Sequence, residues 1–150
     1  MGLVHRLTVA DVGCWVLKTS RPPSDLVPGW EPGSAQRLAR CVRPSYRLEL
    51  MAAGQLCLLW LSGRDRPGVH ALGALTGPPH EDSTDGPAVE VALTLLPEPL
   101  DRAELLADPA TRGAEVLRMP AGSNPSWLSP AEFGAVRARV PDDLLGPWPT

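Results

Sequence analysis

The chain has 150 residues, 43% of them hydrophobic, with a formal net charge of −3. That suits one domain with one real core and argues against general disorder. It is a poor match to a protein gripping duplex phosphates over a broad basic face. No apolar run approaches the roughly 20 residues of a membrane helix, so no membrane partner is expected. Residues 1–12 have Arg6 as their firm positive charge and are interrupted by Thr8 and Asp11. They read as neither signal peptide nor anchor, and the expected location is cytoplasmic. Cys14, Cys41 and Cys57 are odd in number and widely spaced, without zinc-site spacing or disulfide density. Cys14 and Cys57 sit in apolar runs, as small buried hydrophobes do. No metal and no cofactor are expected.

In chain order, residues 12–18 are rich in aromatic and β-branched types and are closed by Arg21-Pro22-Pro23, which reads as a strand ended by the double proline. Residues 24–44 carry prolines and glycines around Leu26, Trp30 and Leu38; they read mostly as a long connection, with a short helix opening near Ser34. A second short segment, 45–52, ends at Gly54. Residues 56–61 are a continuous apolar run of strand length. The polar loop 62–68 and a strand over 69–75 complete a hairpin, and Gly73 inside that strand marks a bulge or a close backbone approach.

Residues 77–87 form a surface loop, and 89–95 alternate into another strand. One or two helical turns are expected over 99–106 and a last short strand over 116–119. Ser129-Pro130-Ala131-Glu132 supplies a capping serine, a first-turn proline and a capping-box glutamate, opening a helix through Val136 to about Val140. The tail, 141–150, is proline-rich. There is no internal repeat, GxGxxG or P-loop. Short strands, long loops and few helices indicate an α+β small barrel with helices at its edges.

Several segments resemble those of EVE domains. Cys14-Trp15-Val16-Leu17-Lys18-Thr19-Ser20 is similar to their first strand, which ends in a lysine and a small hydroxyl residue. Tyr46-Arg47 to Met51, then Gly54 and the strand to Trp60, resemble the next motif. Ser62-Gly63, followed by residues 67–73, resembles the hairpin, and residues 120–125 with Leu128, Ser129, Pro130 and Glu132 resemble the closing loop and helix. The likeness spans roughly residues 13–140 and extends to YTH domains, distant relatives that read methylated adenine in RNA. It implies a PUA-like pseudo-barrel of mostly antiparallel strands, holding a flipped or unpaired base of DNA or RNA in an aromatic-walled pocket. Two positions depart from the pattern. Cys41 stands where many relatives have tryptophan, which puts one pocket wall in doubt, and Gln55 stands where aspartate is common, which affects a turn.

Such a reader needs flat apolar walls and a few fixed polar groups facing the base edge. Trp15, Trp30, Tyr46, Trp60 and Trp127 are the stacking candidates, with core packing as the competing role for each. Lys18, Thr19 and Ser20 leave the first strand together, Ser62 and Gly63 leave the hairpin, and Ser123 and Asn124 lie in the closing loop. Asparagine offers both donor and acceptor; a turn is its competing role. Arg37, Arg40, Arg43 and Arg47 lie in a stretch without acids and are candidates for phosphate contacts, with a solvated arginine face as the alternative.

The function expected is a non-catalytic nucleic-acid reader, with an effector protein supplying any chemical output. The alternative is an ASCH-like amidohydrolase using Lys18 and Thr19 with Glu49 or Glu90; a third is a small-ligand or protein-interaction module. A carboxylate within hydrogen-bond reach of Lys18 would favour the amidohydrolase. His5, His70 and His80 lie in unlike contexts and support no metal or nucleophilic site.

Overall fold

A computed structural model describes residues 6–82 and 86–144. Its elements are β1 (Cys14–Thr19), α1 (Pro23–Leu26), β2 (Ala35–Cys41), β3 (Leu56–Leu61), β4 (Gly68–Leu75), β5 (His80–Asp82), β6 (Gly86–Asp101), α2 (Arg102–Ala107), α3 (Glu115–Arg118), β7 (Ser126–Leu128) and α4 (Pro130–Arg137). The strands form one sheet in the order β2-β6-β4-β3-β1-β7, with β5 beside β6. His5 lies outside the described residues.

The two apolar runs, β1 and β3, lie side by side in parallel, with Lys18 opposite Trp60 and Thr19 opposite Leu61. Their lack of alternation follows from burial on both faces. Cys14, Val16, Leu58 and Trp60 face a core completed by Leu105, Val116, Leu117 and Val136 from the helices. Trp15, Leu17, Cys57 and Leu59 face a second core with Trp30, Met51, Val91 and Leu93, around which the sheet curls as an open pseudo-barrel. Fully burying each Leu or Val contributes about 1.5–3 kcal/mol, so the central strands carry much of the stability. The remaining pairings are antiparallel.

Several local expectations need correction. The helix expected near Ser34 is β2, an edge strand with Gln36, Leu38 and Arg40 turned inward and Ala35, Arg37, Ala39 and Cys41 exposed. The strand alternates in exposure and not in residue type, since Gln36 and Arg40 turn inward while Ala35, Ala39 and Cys41 face out, so no hydrophobic period of two marks it. The strand expected over 116–119 is α3, whose adjacent Val116 and Leu117 are both buried. It is preceded by a tight turn in which the buried Thr111 hydroxyl donates to the Leu105 carbonyl at 2.6 Å. β6 runs well past residue 95, because its prolines at 97 and 99 fall where pairing with β4 is interrupted between Leu95 and Leu100. β7, not foreseen, pairs with β1.

The α4 start is as read: the Ser129 hydroxyl accepts from the Glu132 amide at 3.1 Å, and the Glu132 carboxylate accepts from the Ser129 amide at 2.8 Å. The helix ends at Arg137, short of Val140.

Candidate functional site

Parallel pairing makes β1 and β3 finish together, so the residues that follow emerge side by side. The Ser62 amide donates to the Thr19 carbonyl at 2.8 Å, fixing the two exits. Across them lies the loop before β7, secured by Asn124. Its Oδ1 accepts from the Lys18 amide at 3.1 Å, its Nδ2 donates to the Cys41 carbonyl at 3.2 Å, and its carbonyl accepts from the Arg43 amide at 2.8 Å. One asparagine therefore ties the end of β2 to β1, joining opposite sides of the pseudo-barrel. The pairing of Oδ1 with an N–H and Nδ2 with a C=O fixes the amide orientation.

These exits enclose a cavity of about 240 Å3. Lys18, Thr19, Ser20 and Ser62 line one side, Arg43 and Asn124 another, and Pro120 with Gly122 the loop wall. Lys18 Nζ donates to the Pro120 carbonyl at 3.2 Å. Burial lowers its pKa from the ordinary lysine value; Glu115 opposes the shift, and Arg43 and Arg47 add to it. The Thr19 hydroxyl is occupied by a local turn, donating to the Arg21 carbonyl at 3.2 Å and accepting from the Arg21 amide at 3.0 Å. A second cavity of about 180 Å3 adjoins the first, sharing Ser62 and Pro120 and adding Trp60, Gly63, Pro67 and Arg102. A larger cavity of about 440 Å3, between residues 96–104 and 139–144, shares no lining residue with either.

The aromatic candidates do not converge. Trp15 is fully buried and donates its indole N–H to Gln55 Oε1 at 2.8 Å. Trp30 is buried, with its N–H on the Ser34 carbonyl. Tyr46 accepts from the Leu7 amide at 2.8 Å, with the Arg6 guanidinium over its ring at 4.1 Å. Trp127 is half-buried in β7, opposite Trp15. Only Trp60, among the described aromatic residues, borders the paired cavities, and it is 3% exposed. Core packing therefore accounts for Trp15 and Trp30. Ser123 is exposed and lines neither cavity.

The arginines also separate. Arg47 is not available to phosphate: it makes a two-pronged pair with Glu115, at 2.8 and 2.6 Å, and donates to the Pro125 carbonyl. Arg37 and Arg40 point to opposite faces of β2, and Arg40 Nε is buried without a protein acceptor. Arg43 alone of the four lines the cavity beside Lys18.

The carboxylates proposed for an amidohydrolase lie elsewhere. Glu49 borders a surface groove with His80 and Glu81, while Glu90 sits 3.8 Å from His80. Glu115 is held by Arg47 and by the Ser126 hydroxyl at 2.8 Å. Among the described residues no carboxylate forms an ion pair with Lys18. Nor does any group of three or more His, Cys, Asp or Glu side chains among them form a possible metal site. Cys14 and Cys57 are buried, and burial raises both thiols above their ordinary pKa, Cys57 adding to the shift on Cys14. No described helix is long and apolar enough to cross a membrane.

Sequence reasoning missed Arg102, Glu115 and the full role of Gln55. Gln55 does more than shape a turn, since it accepts from Trp15 and the Ala52 amide and donates to the Leu50 carbonyl. No short motif marks any of the three; Trp15, the far partner of Gln55, and Arg47, the partner of Glu115, lie 40 and 68 residues away.

No family model matches the chain, and no curated protein matches it. Solved structures do. A hypothetical protein from Leishmania major superposes with a TM-score of 0.67 at 17% identity, covering 85% of this chain and 94% of that one. The DUF55 domain of human thymocyte nuclear protein 1 gives 0.62 at 17%, covering 83% and 96%. The same human protein in complex with DNA containing 5-methylcytosine gives 0.58 at 17%, covering 83% and 95%. The chain therefore has the α+β, PUA-like pseudo-barrel fold of these structures.

Proposed function

We propose that the chain is a non-catalytic nucleic-acid-binding module that seats one unstacked base of a DNA or RNA strand, modified or unmodified, in the Lys18 cavity. The observation that carries the reading is the convergence of Lys18 and Arg43 with Ser20, Ser62 and Asn124 around one open cavity. A cation with no carboxylate paired to it among the described residues suits an electron-rich base edge or its adjoining phosphate. The human neighbour bound to DNA containing 5-methylcytosine supports the ligand class.

Asn124 has two of its amide sites committed to the fold, so Lys18, Ser20 and Ser62 do most of the polar reading. No described aromatic residue lines the Lys18 cavity itself, and Trp60, which borders the adjoining one, is almost wholly buried, so the pocket is chiefly polar. Chemistry downstream of binding belongs to a partner protein.

Titrating the protein with short single-stranded DNA and RNA carrying methylated, hydroxymethylated or unmodified bases tests this, with tryptophan fluorescence as the readout. Saturable quenching is expected. Lys18→Ala should weaken it about tenfold, the worth of one charge-assisted hydrogen bond, while leaving the melting temperature nearly unchanged. Absence of binding to every oligonucleotide at low salt would reject the reading.

A further inference from the structure

Arg102 begins α2 beside the smaller of the paired cavities, where Trp60, Ser62, Gly63, Pro67 and Pro120 surround it. Its Nε is buried without a protein acceptor, and no described side chain pairs with its guanidinium. Leaving a buried donor unmatched costs about 1–3 kcal/mol. The acids nearest in sequence are engaged elsewhere. Glu98 and Asp101 lie 3.3 and 3.9 Å from Arg66, and Glu104 lies 3.3 Å from Arg139. Among the described residues this leaves Arg102 as an unpaired fork of donors set in a concave wall, in a protein whose net charge is negative.

We propose that the cavity between Arg102 and Trp60 binds a phosphate group, and that the phosphate is the one flanking a base seated in the Lys18 cavity. This rests on the nucleic-acid reading above. The two cavities meet at Ser62 and Pro120, so a strand crossing that ridge meets Lys18 and Arg43 on one side and Arg102 on the other. The chemistry fits the residue type: a guanidinium presents parallel N–H groups to two phosphate oxygens, which a lysine cannot do. The cavity's volume, about 180 Å3, admits a phosphate with its ester oxygens, and Ser62 and Gly63 line it together with Arg102. Arg102 thus sets where the backbone lies, while the Lys18 cavity holds the base.

The test has two arms. In the first, a labelled single-stranded oligonucleotide is titrated at several salt concentrations against the wild-type chain, Arg102→Met and Arg102→Lys. Loss of one phosphate contact should flatten the plot of log affinity against log salt by about 0.7 and weaken binding about tenfold at low salt in Arg102→Met, with partial recovery in Arg102→Lys. The melting temperature of Arg102→Met should not fall, since the substitution removes an unmatched donor and keeps an apolar stem. In the second arm, inorganic phosphate is added to isotope-labelled wild-type protein and the Arg102 Nε–H resonance is followed, which needs no variant to fold.

A flattened slope together with a shifted resonance supports the site. A shifted resonance without oligonucleotide binding rejects the nucleic-acid reading and leaves the site to free phosphate or a nucleotide. An unchanged slope in Arg102→Met, or a resonance that phosphate does not move, overturns the proposal.

Discussion

Gly73→Ala is expected to destabilise the chain by about 3 kcal/mol, lowering the melting temperature by roughly 10 °C. Gly73 lies in the middle of β4, paired with Cys57 on one side and Leu93 on the other. A Cβ there would fall on the backbone of β6, well inside contact with the carbonyl carbon and oxygen of Ala92. Because the obstacle is a main chain held in the sheet on both edges, no rotamer relieves it, and β4 must separate from β6. Gly77→Ala is the control, since nothing lies near its Cβ position and its φ is not positive. It should melt within a degree or so of the parent. Equal melting temperatures for the two variants, read by near-ultraviolet dichroism, would show that the strands are not so closely apposed.

Gly73 also shows what kind of information the sequence carried. A glycine inside an apolar strand announces a close approach, but the backbone it approaches is that of Ala92 in β6, 19 residues further along the chain. The same division runs through the chain. β1, β3 and β4 were readable because each is a local apolar run with a strong terminator. β2 and α3 were misread because their identity depends on what they pack against: β2 on β6 at the sheet edge, α3 on the turn before it.

At the site, the lysine, hydroxyl and closing-loop residues were legible in outline, since they punctuate strand ends. The separation of the aromatic candidates was not. A tryptophan looks alike in sequence whether its indole reaches a base or, as with Trp15, a glutamine 40 residues away. Arginines likewise look interchangeable until their partners are known. Arg43 lines the cavity, whereas Arg47 is pinned by an acid 68 residues on, and Arg102 has no partner among the described residues.

Arg47 leads to the second large effect. Glu115→Gln is expected to cost about 3 kcal/mol, because the pair it breaks is well covered, with 13% and 14% of the two side chains exposed. Glutamine keeps an acceptor for the Ser126 hydroxyl but leaves the Arg47 charge uncompensated beneath β7. Burial raises the Glu115 pKa, yet the hydrogen bonds from Arg47 and Ser126 outweigh it and leave the carboxyl below its ordinary value of 4.5.

Since the folded pKa is depressed, its stabilisation is fully present above that ordinary value and is lost as pH falls through the folded one. The gap in melting temperature between parent and variant should therefore be widest near neutral pH and close in acid. A gap that stayed constant down through that range would mean the carboxylate charge is not what stabilises the fold. The effect reaches the site as well. Glu115 is the acid that favours the charged form of Lys18, against burial and the neighbouring arginines. Removing it should lower the Lys18 pKa further, which a pH titration of the Lys18 side-chain resonance would reveal. The acidic half of an ion pair that does not line the cavity thereby helps keep its lysine charged, against the arginine it is paired with.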